Sequence, residues 1–173
     1  MSAIPSPHTP GWTLLSAEAF EDRIEESMSL DANWLESACP AVAEFLSEMD
    51  EDLIDDAELE LLYFLATRVV AACQPDTAKT QAIHADELWD VSGELLQMIE
   101  DWSDAGMALQ DIPGELCKQS VQPQAIEFAL SMLTEFSEQP SVQGKGTGVR
   151  ADAVIPMVTQ LEAIMRCLKQ HAS

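Results

Sequence analysis
Apolar residues recur every three or four positions along most of this chain, and no segment of any length alternates apolar with polar. The first period is that of a helix with one buried face, and the second would mark a strand. The pattern therefore predicts an all-α protein with no sheet. Residues 1–15 hold Pro5, Pro7, Pro10 and Gly11 and read as an irregular arm, with Trp12 and Leu14-Leu15 placed to pin its end to the body. Ser16 can cap a helix to about Met28 that carries Ala17, Phe20, Ile24 and Met28 on one side. A second run, Leu35, Ala38, Val42, Phe45 and Met49, begins near a capping Asp31 and is interrupted by Pro40. Proline removes a backbone donor and clashes with the preceding turn, so a kink or break is expected there.

Asp55 or Asp56 can cap the next helix, from about Ala57 to Cys73. Its apolar residues (Leu59, Leu61, Leu62, Phe64, Leu65, Val69, Val70) occupy nearly the whole circumference, which predicts a central, buried helix ended by Gln74-Pro75. A helix from about Ala85 to Asp104 has Leu88, Leu95, Ile99 and Trp102 as its core stripe. Gly106 and Pro113-Gly114 bracket a link with room for one short helix. Pro123 suits the first turn of a helix to about Ser137. Residues 140–150 read as a loop, and Asp152 can cap a last helix carrying Val154, Val158, Leu161, Met165 and Leu168.

Two stretches share a plan. Residues 59–99 and 125–165 each read as apolar helix, Gln-Pro, polar loop, Ala-Asp, amphipathic helix, which is compatible with a weak internal duplication. The expected architecture is a bundle of about five to seven helices whose core is two antiparallel hairpins, in a single domain over residues 16–173.

Charge sharpens this picture. Residues 1–115 contain 26 acidic and 3 basic side chains, and residues 116–173 contain 5 of each, so the formal net charge of −23 belongs entirely to the first part. Such a field repels nucleic acid and anionic membranes and attracts basic surfaces. A hydrophobic content of 47 % argues against disorder. The first residues resemble no signal peptide, and no apolar run approaches the ~20 residues of a membrane span, so a cytoplasmic protein is expected. Cys39, Cys73, Cys117 and Cys167 are widely spaced, without a CxxC pair or neighbouring histidines, and are expected to be reduced and buried.

Few residues suggest chemistry. Glu48 to Glu60 packs eight carboxylates into thirteen residues. Asp50 and Asp52 have calcium-loop spacing, but Ile54 falls on a ligand position and no Gly follows, so no metal is expected. Gly144-Lys145-Gly146-Thr147-Gly148 lacks the spacing of a phosphate loop and the strand before it. His8 and His84 read as surface or loop histidines, and no cofactor is implied. Arg166 and His171 form an R-x4-H pair that faintly resembles the active-site motif of the HEPN ribonucleases, which are also helical. The resemblance covers six residues, and Cys167 replaces the polar residue typical after the Arg. It would imply RNA cleavage, against a net charge that repels RNA.

The expectation is thus an acidic, non-enzymatic interaction protein that binds a basic protein partner and neither nucleic acid nor membrane. An inhibitor, immunity-type protein or DNA mimic suits that description. An acidic chaperone or adaptor is the alternative, and a HEPN-like ribonuclease a second one. The docking patch is expected at Glu48, Asp50, Glu51, Asp52, Asp55 and Glu58, with a secondary patch at Asp86, Glu87, Asp90, Glu94 and Asp101 around Trp89, the aromatic best placed to anchor an interface.

Overall fold
A computed structural model describes Trp12 and residues 14–31, 33–138 and 149–172. Most of the arm, including His8, and the Gly144–Gly148 stretch lie outside the described residues. The described chain is an all-α bundle without strands. Its helices are α1 (Ala17–Ser27), α2 (Trp34–Ala38), α3 (Pro40–Ser47), α4 (Asp56–Cys73), α5 (Thr77–Thr80), α6 (Ala85–Asp104), α7 (Ile112–Gln119), α8 (Pro123–Glu138) and α9 (Ala151–Gln170), with a 3₁₀ turn at Leu109–Asp111. These exceed the five to seven expected because Pro40 splits α2 from α3 and because α5 is a single turn, too short to show a period.

Local chemistry explains most helix ends. Ser16 caps α1 by accepting from the Ala19 amide at 3.2 Å. Asp55, not Asp56, caps α4, and it does so reciprocally with Glu58: the Glu58 amide donates to Asp55 at 2.8 Å and the Asp55 amide to Glu58 at 2.9 Å. α6 ends at Gly106, whose φ of 98° only glycine adopts freely. There the Met107 amide reaches the Trp102 carbonyl and the Gly106 amide that of Ser103, satisfying two carbonyls of the last turn. Two expected caps are displaced. Asn33 rather than Asp31 precedes α2, while the Asp31 carboxylate accepts from the Asn33 amide. Arg150 precedes α9, and Asp152 stands exposed in its first turn, where a negative charge favours the helix dipole.

The centre of the bundle is α9, not α4. Helices α4, α6, α7 and α8 all pack on α9, and Val158, Leu161, Ile164, Met165 and Leu168 are sealed from solvent. Helix α4 is nearly as buried, between α9 and α1. The expected pairing is met by α8 and α9. Helices α4 and α6 meet chiefly through α9 rather than against each other, so the parallel between residues 59–99 and 125–165 does not extend to packing. Trp12 is buried as expected, and its indole N–H donates to the Val121 carbonyl at 3.3 Å.

No described helix is long and apolar enough to cross a membrane. All four cysteines are free. Cys39, Cys73 and Cys167 are buried, and Cys117 is half-buried. Burial pushes the thiols of Cys73 and Cys167 up to about 12 and that of Cys39 to about 11, so they stay protonated and unreactive.

Candidate functional site
Residues 48–52 of the first expected acidic patch meet the exposed face of the second at Trp89, and together they form a ridge. α3 packs on α6, which sets the Phe45 ring edge-on to Trp89, with centroids 4.7 Å apart. Just beyond the end of α3, the Glu48 carboxylate accepts the Trp89 indole N–H at 3.1 Å. That bond joins residues 48–52 to the outer face of α6. Trp89 lies at the junction, 38 % exposed.

On the loop side, Asp50, Glu51 and Asp52 are exposed. The Asp50 carboxylate accepts from the Asp52 amide at 2.9 Å, an Asx turn that shapes the loop, and buried Ile54 anchors it. On the helix side, Asp86, Asp90, Glu94 and Asp101 are exposed. Trp89 and exposed Leu96 stand two turns apart on this face, with Gly93 open to solvent between them. Among the described residues, none of Glu48, Asp50, Glu51, Asp52, Asp86, Asp90, Glu94 or Asp101 forms an ion pair.

Three residues expected in these patches have internal duties instead. Glu58 is buried beneath Arg150, which donates to it from its backbone amide at 2.8 Å and through its guanidinium at 2.8 and 3.1 Å. Burial alone would raise this carboxyl, but the Arg150 guanidinium and the Asp55 and Arg150 amides outweigh it and hold it below the ordinary value. Asp55 is the helix cap and sits 3.7 Å from Arg150. Glu87 accepts from the His84 amide at 3.3 Å and lies 2.6 Å from the His171 ring. Its burial is likewise outweighed, by His171, so its carboxyl is lowered. Arg150 and His171 were not legible as partners in the sequence, because they lie 92 and 84 residues from Glu58 and Glu87.

A further internal carboxylate was missed altogether. Glu162, in the middle of α9, is fully buried. It accepts from the Ser120 hydroxyl at 2.6 Å, the Val121 amide at 3.0 Å and Arg166 at 3.1 Å, and so holds the link between α7 and α8 against α9. Burial dominates here and its carboxyl is raised. Arg166 and His171, the R-x4-H pair, thus turn to different partners, Glu162 and Glu87. The shallow depression beside Arg166 is lined by Val121, Lys169 and Gln170 and does not reach His171. Among the described residues, no cluster of three His, Cys, Asp or Glu side chains is arranged to hold a metal ion.

No family model matches the chain, and neither a curated protein nor a solved structure matches it significantly.

Proposed function
We propose that the protein binds a basic surface on another protein through the Glu48–Trp89 ridge, as an inhibitor, an immunity-type protein or a nucleic-acid mimic, without catalysing a reaction. The observation that carries this reading is the Glu48–Trp89 hydrogen bond, which places a half-exposed aromatic in the middle of unpaired carboxylates. Unpaired charges of one sign accelerate encounter with an opposite surface, and a partly buried indole supplies an anchor once the surfaces meet. An acidic chaperone or adaptor would use the same ridge more loosely. The separate engagements of Arg166 and His171 lend no support to the ribonuclease reading.

Capture from an extract of the source cell, at low and then high salt, supplies the partner. Its association rate is then compared for the wild type and for a chain carrying Asp50→Asn, Glu51→Gln, Asp52→Asn, Asp90→Asn and Glu94→Gln. The partner is expected to be basic, and the neutralised ridge to associate about tenfold more slowly with a flatter salt dependence. Trp89→Ala is expected to raise the dissociation rate instead. An unchanged rate and salt slope would make the ridge a solvated surface only.

A further inference from the structure
We propose that the furrow between α1 and α8 is a second docking site, which takes an amphipathic basic helix from a partner protein. Helix α1 lies mainly on α4 and only lightly touches α8. The furrow left between α1 and α8 has a volume of about 580 Å³. Its floor is apolar. Phe20 and Phe128 meet edge-on, with ring centroids 5.8 Å apart, Ile24 lies beside them, and Met28 stands 56 % exposed at one end. Its rim carries Glu21, Glu25 and Glu127, all exposed, and among the described residues no cationic side chain lines it and none pairs with these carboxylates.

The arrangement has a helical period. Along α1 the furrow runs from Ala17 to Met28, about 16 Å at the rise of an α-helix, or three turns. Apolar floor and acidic rim therefore repeat together, as a guest helix with apolar anchors at i, i+3/i+4 and i+7 and flanking Lys or Arg would require. An extended peptide fits less well, since helix flanks offer no ladder for its backbone amides, whereas a helix satisfies its own. A second copy of this chain would bring another net charge of −23 against an acidic rim. The inference shares with the proposed function only the basic character of the partner, and it uses none of the ridge.

The test titrates a synthetic amphipathic helix of Leu and Lys into the ¹⁵N-labelled full chain, beside a scrambled peptide of the same composition. Saturable one-to-one binding is expected, with amide shifts centred on α1 and α8, and the scrambled peptide about tenfold weaker. Ser131 is exposed on the α8 wall, so Ser131→Trp plugs the furrow without touching the core. The double variant Glu25→Lys/Glu127→Lys reverses the rim and serves if the plugged chain misfolds. Each is expected to weaken binding about tenfold, while Asp90→Lys on the ridge changes it less than about twofold. Wild-type affinity in both furrow variants overturns the proposal. Shifts centred on α6 and residues 48–52 overturn it too, while leaving the ridge reading standing. Sedimentation showing a dimer that Ser131→Trp dissolves would assign the furrow to a second copy and also overturn it.

Discussion
The ridge and the last helix treat charge in opposite ways. Along the ridge, exposed carboxylates form no ion pair among the described residues and accept only scattered hydrogen bonds, as from Trp89 to Glu48 and from the Asp52 amide to Asp50. Around α9, three carboxylates are withdrawn from water to different degrees, and each meets a cation or imidazole from residues 150–171: Glu58 with Arg150, Glu87 with His171, Glu162 with Arg166. An exposed acid adds little to stability, whereas a buried one that loses its partners costs several times more. The difference teaches that a count of acidic residues says nothing about which of them fasten the fold. Position relative to α9 decides that.

The sharpest way to break this comparison is Glu162→Ala. It strands the Ser120 hydroxyl, the Val121 amide and Arg166. The expected loss is about 3 kcal/mol, read as a lower urea midpoint. Glu58→Gln comes next, at about 2 kcal/mol, since it weakens both the α4 cap and the Arg150 contact. Were either variant as stable as the wild type, the internal pairs would be incidental.

Acid titration sharpens the contrast within the paired set. The Glu58 carboxyl is lowered in the fold, so its contribution is complete above the ordinary carboxylate value and disappears as pH falls through the lowered native value. The stability gap between wild type and Glu58→Gln should therefore close in acid. The Glu162 carboxyl is raised, so its contribution is fullest below the ordinary value and diminishes as pH rises through the raised one. Relative to the wild type, Glu162→Gln should therefore fare worst in acid and improve toward neutrality. Urea midpoints of the two variants that, each taken relative to the wild type, moved in the same direction with pH would contradict the assignment.

Salt probes the other region. Screening the self-repulsion of a chain of net charge −23 should stabilise it by about 1 kcal/mol between low and moderate ionic strength, seen as a rising melting temperature. The smallest effect is expected from Asp50→Asn, Glu51→Gln and Asp52→Asn together, within about 0.5 kcal/mol of the wild type. A large loss from this triple variant would move the ridge into the structural class.

Helix positions were legible wherever the signal is local. Ser16, Pro40 and Gln74-Pro75 mark boundaries through their own backbone chemistry, and α6 spans Ala85–Asp104 as its periodicity predicts. The centrality of α9 was not legible, because its buried surface includes Thr159, Gln160 and Glu162. Ser92 donates to Gln160 at 2.8 Å and Thr159 to the Ile155 carbonyl, so these polar groups are satisfied inside the bundle. In sequence they interrupt the apolar stripe of Val154, Val158, Leu161, Met165 and Leu168. Helix α4, apolar all round, advertised itself as the centre instead. Of the site, the acidic run and Trp89 were visible, but Glu58 looked like its exposed neighbours until Arg150, just before α9, met it.

The place of α9 in the chain has a consequence for how the molecule comes to be. Helices α4, α6, α7 and α8 leave the ribosome before the element they assemble around. Until residues 150–171 emerge, α4 can pack on α1 but not on α9, and Glu58 and Glu87 lack Arg150 and His171. Contacts among the earlier helices, such as α1 on α4 and α3 on α6, can form before then, but the core closes only once α9 is in place. A net charge of −23 makes copies of the chain repel one another, and that repulsion slows aggregation while the core is still open.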